Sequence, residues 1–333
     1  MRYPFKIPRS STDEMMRNTL APARILIVAL AAAFLCGAQL AACEGEKPLV
    51  VCTTTVLASV VQDLAGDLVE VDVIASPAVC PAHYDIRPSD VEAFRRADLV
   101  LAHGFEPWIE ELREASGSEA PIVRIGGPWN YPEALKELYR KVAEALSEHL
   151  GLDLSERLDR CLREIDEVSS RLEELAEREG FVGTPVVCML WQEGFVKFLG
   201  FEIVAVYGPP ERVSAKEYES VVENATAAGA LLVIDNLQSG TELGGKIASE
   251  VGAVEVALSN FPGVAPELVN VTEVMEWNAL KLADALREAR VGGEVGKLRE
   301  QISFWTAATI ALSAVAAVEA LAIAVLARKL KRG

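Results

Sequence analysis

Between Leu49 and Ala289 short apolar runs alternate with amphipathic stretches, and one of those stretches is far longer than the rest. Brief β-branched runs bounded by Gly, Pro or Asp read as buried strands, and a three- to four-residue apolar period reads as helix. Strands are expected at 49–53, 69–75, 97–102, 122–125, 185–190, 202–207, 230–234 and 254–258. Helices are expected at 58–65, 88–96, 132–149, 194–198, 215–227, 244–251 and 274–289. Strand and helix in succession imply parallel sheets covered on both faces. The long stretch, 154–179, places Leu154, Leu158, Cys161, Ile165, Val168, Leu172 and Leu175 on one face, with Glu, Arg and Asp on the other. At ~1.5 Å per residue it spans ~39 Å, the width of a lobe. The expected fold is α/β: two doubly wound lobes, residues 49–150 and 184–290, joined by one long rigid helix, residues 154–179.

The chain ends say where such a body works. Residues 25–35 are apolar, follow Arg17 and Arg24, and precede Leu40-Ala41-Ala42-Cys43. Residues 1–43 thus have the layout of a secretory signal, and Leu-Ala-Ala-Cys resembles a lipobox whose cysteine is acylated. Residues 304–327 contain one charge, Glu319, and are long enough to cross ~30 Å of hydrocarbon as a transmembrane helix. Arg328, Lys329, Lys331 and Arg332 follow, which puts the tail in the cytoplasm and the body outside the cell, anchored in the cell membrane. Glu319 is either a pairing point for another membrane helix or a residue near the interface. The whole chain carries −17; residues 1–24 and 303–333 carry +3 each, so residues 44–302 carry −23. Nucleic acid is excluded as a partner by that surface.

One loop concentrates chemistry. Cys80-Pro81-Ala82-His83-Tyr84-Asp85-Ile86-Arg87-Pro88-Ser89-Asp90 follows an apolar run and holds one of only three histidines, with a thiol three positions before it. Loops after strands are where α/β proteins place ligand sites. The other histidines read as structural: His103 at a strand end, hydrogen-bonded or a second nitrogen donor, and His149 near a helix C-terminus.

Several local features then carry a resemblance. They are Thr53-Thr54 after the first strand, Tyr84 with Pro88-Ser89-Asp90, Ala97-Asp98-Leu99-Val100 leading to Gly104 and Glu106-Pro107-Trp108, Trp129 with Pro132, Gly194-Phe195, Ala248 with Glu250 and Gly252, and Trp277-Asn278. In this order and spacing the chain resembles the zinc- and manganese-type (cluster A-I) solute-binding proteins of ABC transporters over nearly all of residues 49–290. The resemblance implies a two-lobed clamp that binds zinc or manganese as transported cargo, uses no catalytic cofactor, and hands its cargo to a permease served by an ATP-binding subunit.

Its metal positions are altered. The family's first histidine falls on Ala82, with His83 displaced by one, and its second on Gly127. The third position holds Gln192, beside Glu193, and the carboxylate position falls on Ser259 or Asn260. Two readings stay open. Either Cys80 and His83, with Glu193 or Asp235, make a changed metal shell; or a metal chelate or other polar solute sits against Tyr84, Trp129, Trp191, Gln192 and Asn260. Cys52 and Cys80 are either a disulfide or, with Cys188, free thiols facing the cleft, whereas Cys161 belongs to the core. No Ser-His-Asp arrangement, paired catalytic carboxylates or phosphate loop marks an enzyme; a membrane-anchored adhesion ectodomain is the other alternative. Asn224 and Asn270 fit the glycosylation pattern.

Overall fold

A computed structural model describes residues 47–330, without the side chains of residues 296, 297, 300, 311, 314–322 and 324–330. The signal-like segment 1–43 lies outside the described residues. The first half of the chain contains β1 (Leu49–Cys52), α1 (Thr55–Ala65), β2 (Glu70–Val73), α2 (Pro88–Arg96), β3 (Leu99–Ala102), α3 (Ile109–Ser116), β4 (Ile122–Arg124) and α4 (Pro132–Leu150). After α5 (Ser155–Glu179) come β5 (Pro185–Met189), α6 (Glu193–Phe198), β6 (Glu202–Tyr207), α7 (Ala215–Ala228), β7 (Leu232–Asn236), α8 (Glu242–Val251), β8 (Val254–Leu258) and α9 (Val271–Leu330).

The strands form two four-stranded sheets, ordered β2-β1-β3-β4 and β6-β5-β7-β8. All pairings are parallel, with Val50 opposite Val71 and Leu99 in the first sheet and Val187 opposite Ala205 and Val233 in the second. Both sheets therefore reverse direction of winding at their second and third positions, between β1 and β3 and between β5 and β7. A parallel sheet has its crevice at such a switch point, beyond the strands' carboxyl ends.

Local chemistry sets the helix limits. Thr54 accepts from the Leu57 N–H at 3.4 Å and opens α1. In α2, Pro88 sits in the first turn and Asp90 accepts from the Arg87 N–H at 2.7 Å. Helix α5 stops at Gly180, whose φ of +70° only glycine adopts without strain. Asn270 caps α9 by accepting from the Glu273 N–H at 3.0 Å, so this glycosylation candidate already has its side chain engaged.

Burial explains why α5 is long. Its Cys161, Ile165, Val168, Leu172 and Leu175 join Val50, Leu57 and Leu135 of the first half and Val186, Leu232 and Leu282 of the second in one core. Each fully buried large aliphatic side chain contributes roughly 1.5–3 kcal/mol, so separating the halves would expose a large share of the core. Behind the first sheet lie Val51, Phe94, Val100 and Leu112, and behind the second Val187, Tyr207, Val233 and Ile247. Both sheets are thus covered on both faces.

The C-terminus departs from the expected helix at 274–289 followed by a separate segment. Helix α9 is continuous over 60 residues, from packing against β8 to Leu330. Among the described residues no helix is long and apolar enough to cross a membrane. Most of segment 304–327, expected to be a membrane anchor, falls on residues whose side chains lie outside that description.

Candidate solute site at the strand ends

At the first switch point, β1 delivers Thr53 and Thr54 and β3 delivers His103, all buried. The Thr54 hydroxyl and His103 Nε2 are 2.9 Å apart. Glu106 turns back to accept from the His103 and Gly104 N–H groups at 2.9 and 2.7 Å and from the Thr53 hydroxyl. Gly104 has φ of +95°, which lets the strand end curl around that carboxylate. The His103 ring stacks on Trp129 and Phe105, with centroids 4.4 and 5.4 Å away. Burial drives its pKa down to about 4 against the opposing pull of Glu106, so the imidazole is neutral near pH 7.

At the second switch point, Gln192 ends the turn after β5 and is fully buried. Its Nε2 donates to the Leu258 carbonyl at 3.3 Å, whereas Oε1 has no hydrogen-bond partner among the described residues. Asn278 grips the loop after β8, accepting from the Ser259 N–H at 3.0 Å and donating to its carbonyl at 2.7 Å.

Neutral groups sew the two halves together. Trp129 Nε1 donates to the Asn260 carbonyl at 2.8 Å, and Asn130 Nδ2 donates to the Trp191 carbonyl at 2.8 Å. Asn260 Nδ2 donates to the same Trp191 carbonyl at 3.2 Å. Gln238 Nε2 reaches the Pro77 carbonyl at 3.1 Å and the Ser259 hydroxyl at 3.0 Å. At Gly194 a methyl group would lie 2.7 Å from the Tyr131 ring, so this glycine is what lets the halves approach. Asn130 and Gln238 escaped the sequence reading; the available signals were their positions beside Trp129 and just after a strand end.

The motif loop is pinned by its own residues. Tyr84 is buried, donates to Asp90 at 2.9 Å, and lies 5.5 Å from the Trp108 ring, which itself donates to the Pro81 carbonyl at 2.7 Å. Burial and then Asp90 push the Tyr84 pKa up to about 12, so Tyr84 here is a structural donor. His83 is exposed and Cys80 half-buried, both on or beside the turn Pro81–His83.

The other metal candidates point elsewhere. Glu193 pairs with Lys197 at 2.5 Å, one turn along α6. Asp235 is buried beneath α8, takes a hydrogen bond from Tyr207, and faces Gly244, where a Cβ would sit 1.9 Å from its carboxylate. Burial raises its pKa to about 7. Among the described residues no group of three or more His, Cys, Asp or Glu is placed to hold a metal ion. Cys80, His83, Glu193 and Asp235 are therefore not brought together as one shell. Cys52, Cys80, Cys161 and Cys188 are all free; Cys52 and Cys188 belong to the core rather than the cleft, and the Cys52–Cys80 disulfide is absent. Burial disfavours both thiolates: it pushes the Cys188 pKa up to about 12 and raises that of Cys52 as well.

Comparison with known proteins agrees with the fold. The family model described as zinc-uptake complex component A, periplasmic, matches residues 50–285. An uncharacterised protein of Rickettsia prowazekii is 36% identical over 81 residues, 24% of this chain and 26% of that protein. A putative metal-binding protein of Thermotoga maritima is 35% identical over 57 residues, 16% of this chain and 21% of that one. The chain thus spans about a quarter or less of the curated relatives it matches. The periplasmic zinc-binding protein TroA of Treponema pallidum superposes with a TM-score of 0.61 at 19% identity, covering 72% of this chain and 99% of that one. The manganese-bound periplasmic metal-binding protein of Candidatus Liberibacter asiaticus gives 0.59 at 16% identity, covering 72% and 100%.

Proposed function

The chain belongs to the periplasmic zinc-uptake component A family, a family of solute carriers rather than enzymes, and on that premise we propose that it is the extracytoplasmic binding component of an ABC importer. Its cargo is a metal of the zinc or manganese kind, taken up at the seam between the two sheets and passed to a permease driven by an ATP-binding subunit. Residues 1–43 export the chain, and residues 304–327 hold it in the cell membrane with a short cytoplasmic tail. The observation that carries this reading is the meeting of both switch points in one polar seam, where Trp129, stacked on the buried His103, donates to the Asn260 carbonyl and Asn130 donates to the Trp191 carbonyl beside the buried Gln192.

The donors define how a cargo could be held. A neutral His103 imidazole is already in the protonation state that a metal accepts, and the unpartnered Gln192 Oε1 is an acceptor awaiting a ligand. Amide and hydroxyl oxygens bring no charge to offset a divalent ion. This favours a second reading, in which the metal arrives already chelated or the solute is organic, with Trp191 exposed at the rim as a stacking surface.

Purified full-length protein in detergent decides between them by elemental analysis and zinc and manganese titration, with His103→Ala and Gln192→Ala beside the parent. Direct binding predicts retained metal and at least a ~10-fold loss in one variant, since each would remove a donor. Absence of binding for both ions, with an organic molecule released on denaturation, replaces the bare-ion reading by the chelate or polar-solute one. Absence of any released solute overturns the binding-protein reading itself.

A further inference from the structure

Past Ala289 helix α9 leaves the core, and among the described residues nothing covers its apolar side chains. Val291, Val295, Leu298, Ile302 and Trp305 are 61, 46, 57, 65 and 67% exposed. Their spacings are four, three, four and three, the seam of a left-handed two-stranded coiled coil. Between Val291 and Ile302 every other position is Gly, Glu, Lys, Arg or Gln, so apolar character is confined to that seam. The spacing runs on through Thr309 and Leu312 and, counted along the helix, reaches position 319, where the membrane segment's single charge stands.

Three glycines, Gly292, Gly293 and Gly296, lie in this same stretch. Glycine is a poor helix former and a short solvated helix is marginal, so the stretch lacks the local means to stay helical alone. A helix packed along the seam supplies what is missing, and the glycines lie off the a and d positions it would touch.

The flanking charges choose the occupant. With Val295 and Ile302 at a and Leu298 at d, Glu294 occupies g and Arg299 the next e, and both are exposed. In a parallel pair of identical helices, g of one strand meets the following e of the other, so Glu294 meets Arg299 twice. An antiparallel pair would set Glu against Glu and Arg against Arg. We propose that the exposed seam from Val291 to Trp305 pairs two copies of this chain as a parallel coiled-coil stalk. This dimer does not depend on which cargo the seam between the sheets takes.

Cysteine scanning of the full-length protein in membranes tests the pairing, with copper phenanthroline as oxidant and the unsubstituted protein as background. Val295→Cys and Ile302→Cys should cross-link to twice the chain mass, and Ser303→Cys, one position off the seam, should not. Glu294→Arg should lower the Val295→Cys yield several-fold, and adding Arg299→Glu should restore it. Light scattering of the detergent-solubilised protein should give two chains per particle. Equal cross-linking at position 303, a one-chain particle, no cross-link at any position, or a product containing a different protein would each overturn the proposal.

Discussion

Replacing Asp235 with Asn should stabilise the protein at alkaline pH and lose that advantage in acid. The carboxyl is buried under α8, receives the Tyr207 hydroxyl, and is crowded by Gly244. Burial lifts its pKa from the ordinary 3.8 to about 7, and Glu255 nearby pushes in the same direction. The folded state therefore binds more protons than the unfolded state between those two values. Asp235 costs nothing below pH ~4, becomes progressively destabilising as pH rises to about 7, and is fully so above it. Three pKa units correspond to about 4 kcal/mol as a ceiling. Relaxation around a carboxyl coupled to a second acid lowers this, so ~1–3 kcal/mol is the working figure. Asparagine keeps the shape and an oxygen for Tyr207, offers an N–H toward Glu255, and carries no charge. Urea unfolding of the protein truncated before Ser303, followed by tryptophan fluorescence at pH 5 and pH 8, reads the effect. The variant should gain on the parent by more at pH 8 than at pH 5. A loss of similar size at both pH values would refute the reasoning, because it would mean that the carboxylate is needed in its charged form.

Three further outcomes follow from the same geometry. The full-length protein should stay with membranes through a high-salt wash while the form truncated before Ser303 is released, and release of both would remove the anchor. Trp129→Ala should destabilise by about 2–4 kcal/mol through lost packing and a lost cross-seam hydrogen bond, and NMR titration should show the His103 pKa rising from about 4 toward the ordinary 6.5 as water enters; an unchanged titration would mean that Trp129 does not shield the ring. A thiol reagent should modify Cys80 in the folded protein and leave Cys52, Cys161 and Cys188 untouched until denaturant is added, as mass spectrometry of the labelled peptides would show.

The alternation of elements was legible because each signal is local. Pro88–Arg96, Glu202–Tyr207 and Val254–Leu258 have the limits expected from their sequence, the first because Pro88 and Asp90 mark its start. Helix Ile109–Ser116 was overlooked: Trp108 offers no side-chain cap, and the helix is only two turns long. The faces of the central strands were not legible. Leu232–Asn236 is buried throughout, so hydrophobicity gives no parity, and only the packed structure reveals that Asp235 shares the Val233 side under α8 rather than the seam. The same limit hid the core positions of Cys52 and Cys188. Conversely, Tyr84 and Asp90 stood out as a motif because the loop needs them for its shape. The seam amides gave little signal, since Asn and Gln are ordinary in loops and gain meaning only from partners more than a hundred residues away, as with Asn130 and Asn260.

An unbroken α9 ties the orientation of the strand ends to the count of residues below them. About sixteen residues separate the last buried turn, at Leu286, from Ser303, a vertical offset of ~25 Å along a helix. Each added residue would lift the body by ~1.5 Å and rotate it by ~100°. Seven added residues would raise the mouth by ~10 Å and leave its compass bearing almost unchanged, whereas five would turn it ~140° away. Height and heading are thereby geared to one another, so with residues 304–327 as the proposed anchor, a neighbour fixed in the same membrane could be met in the same direction only by helices differing in length by near-whole turns.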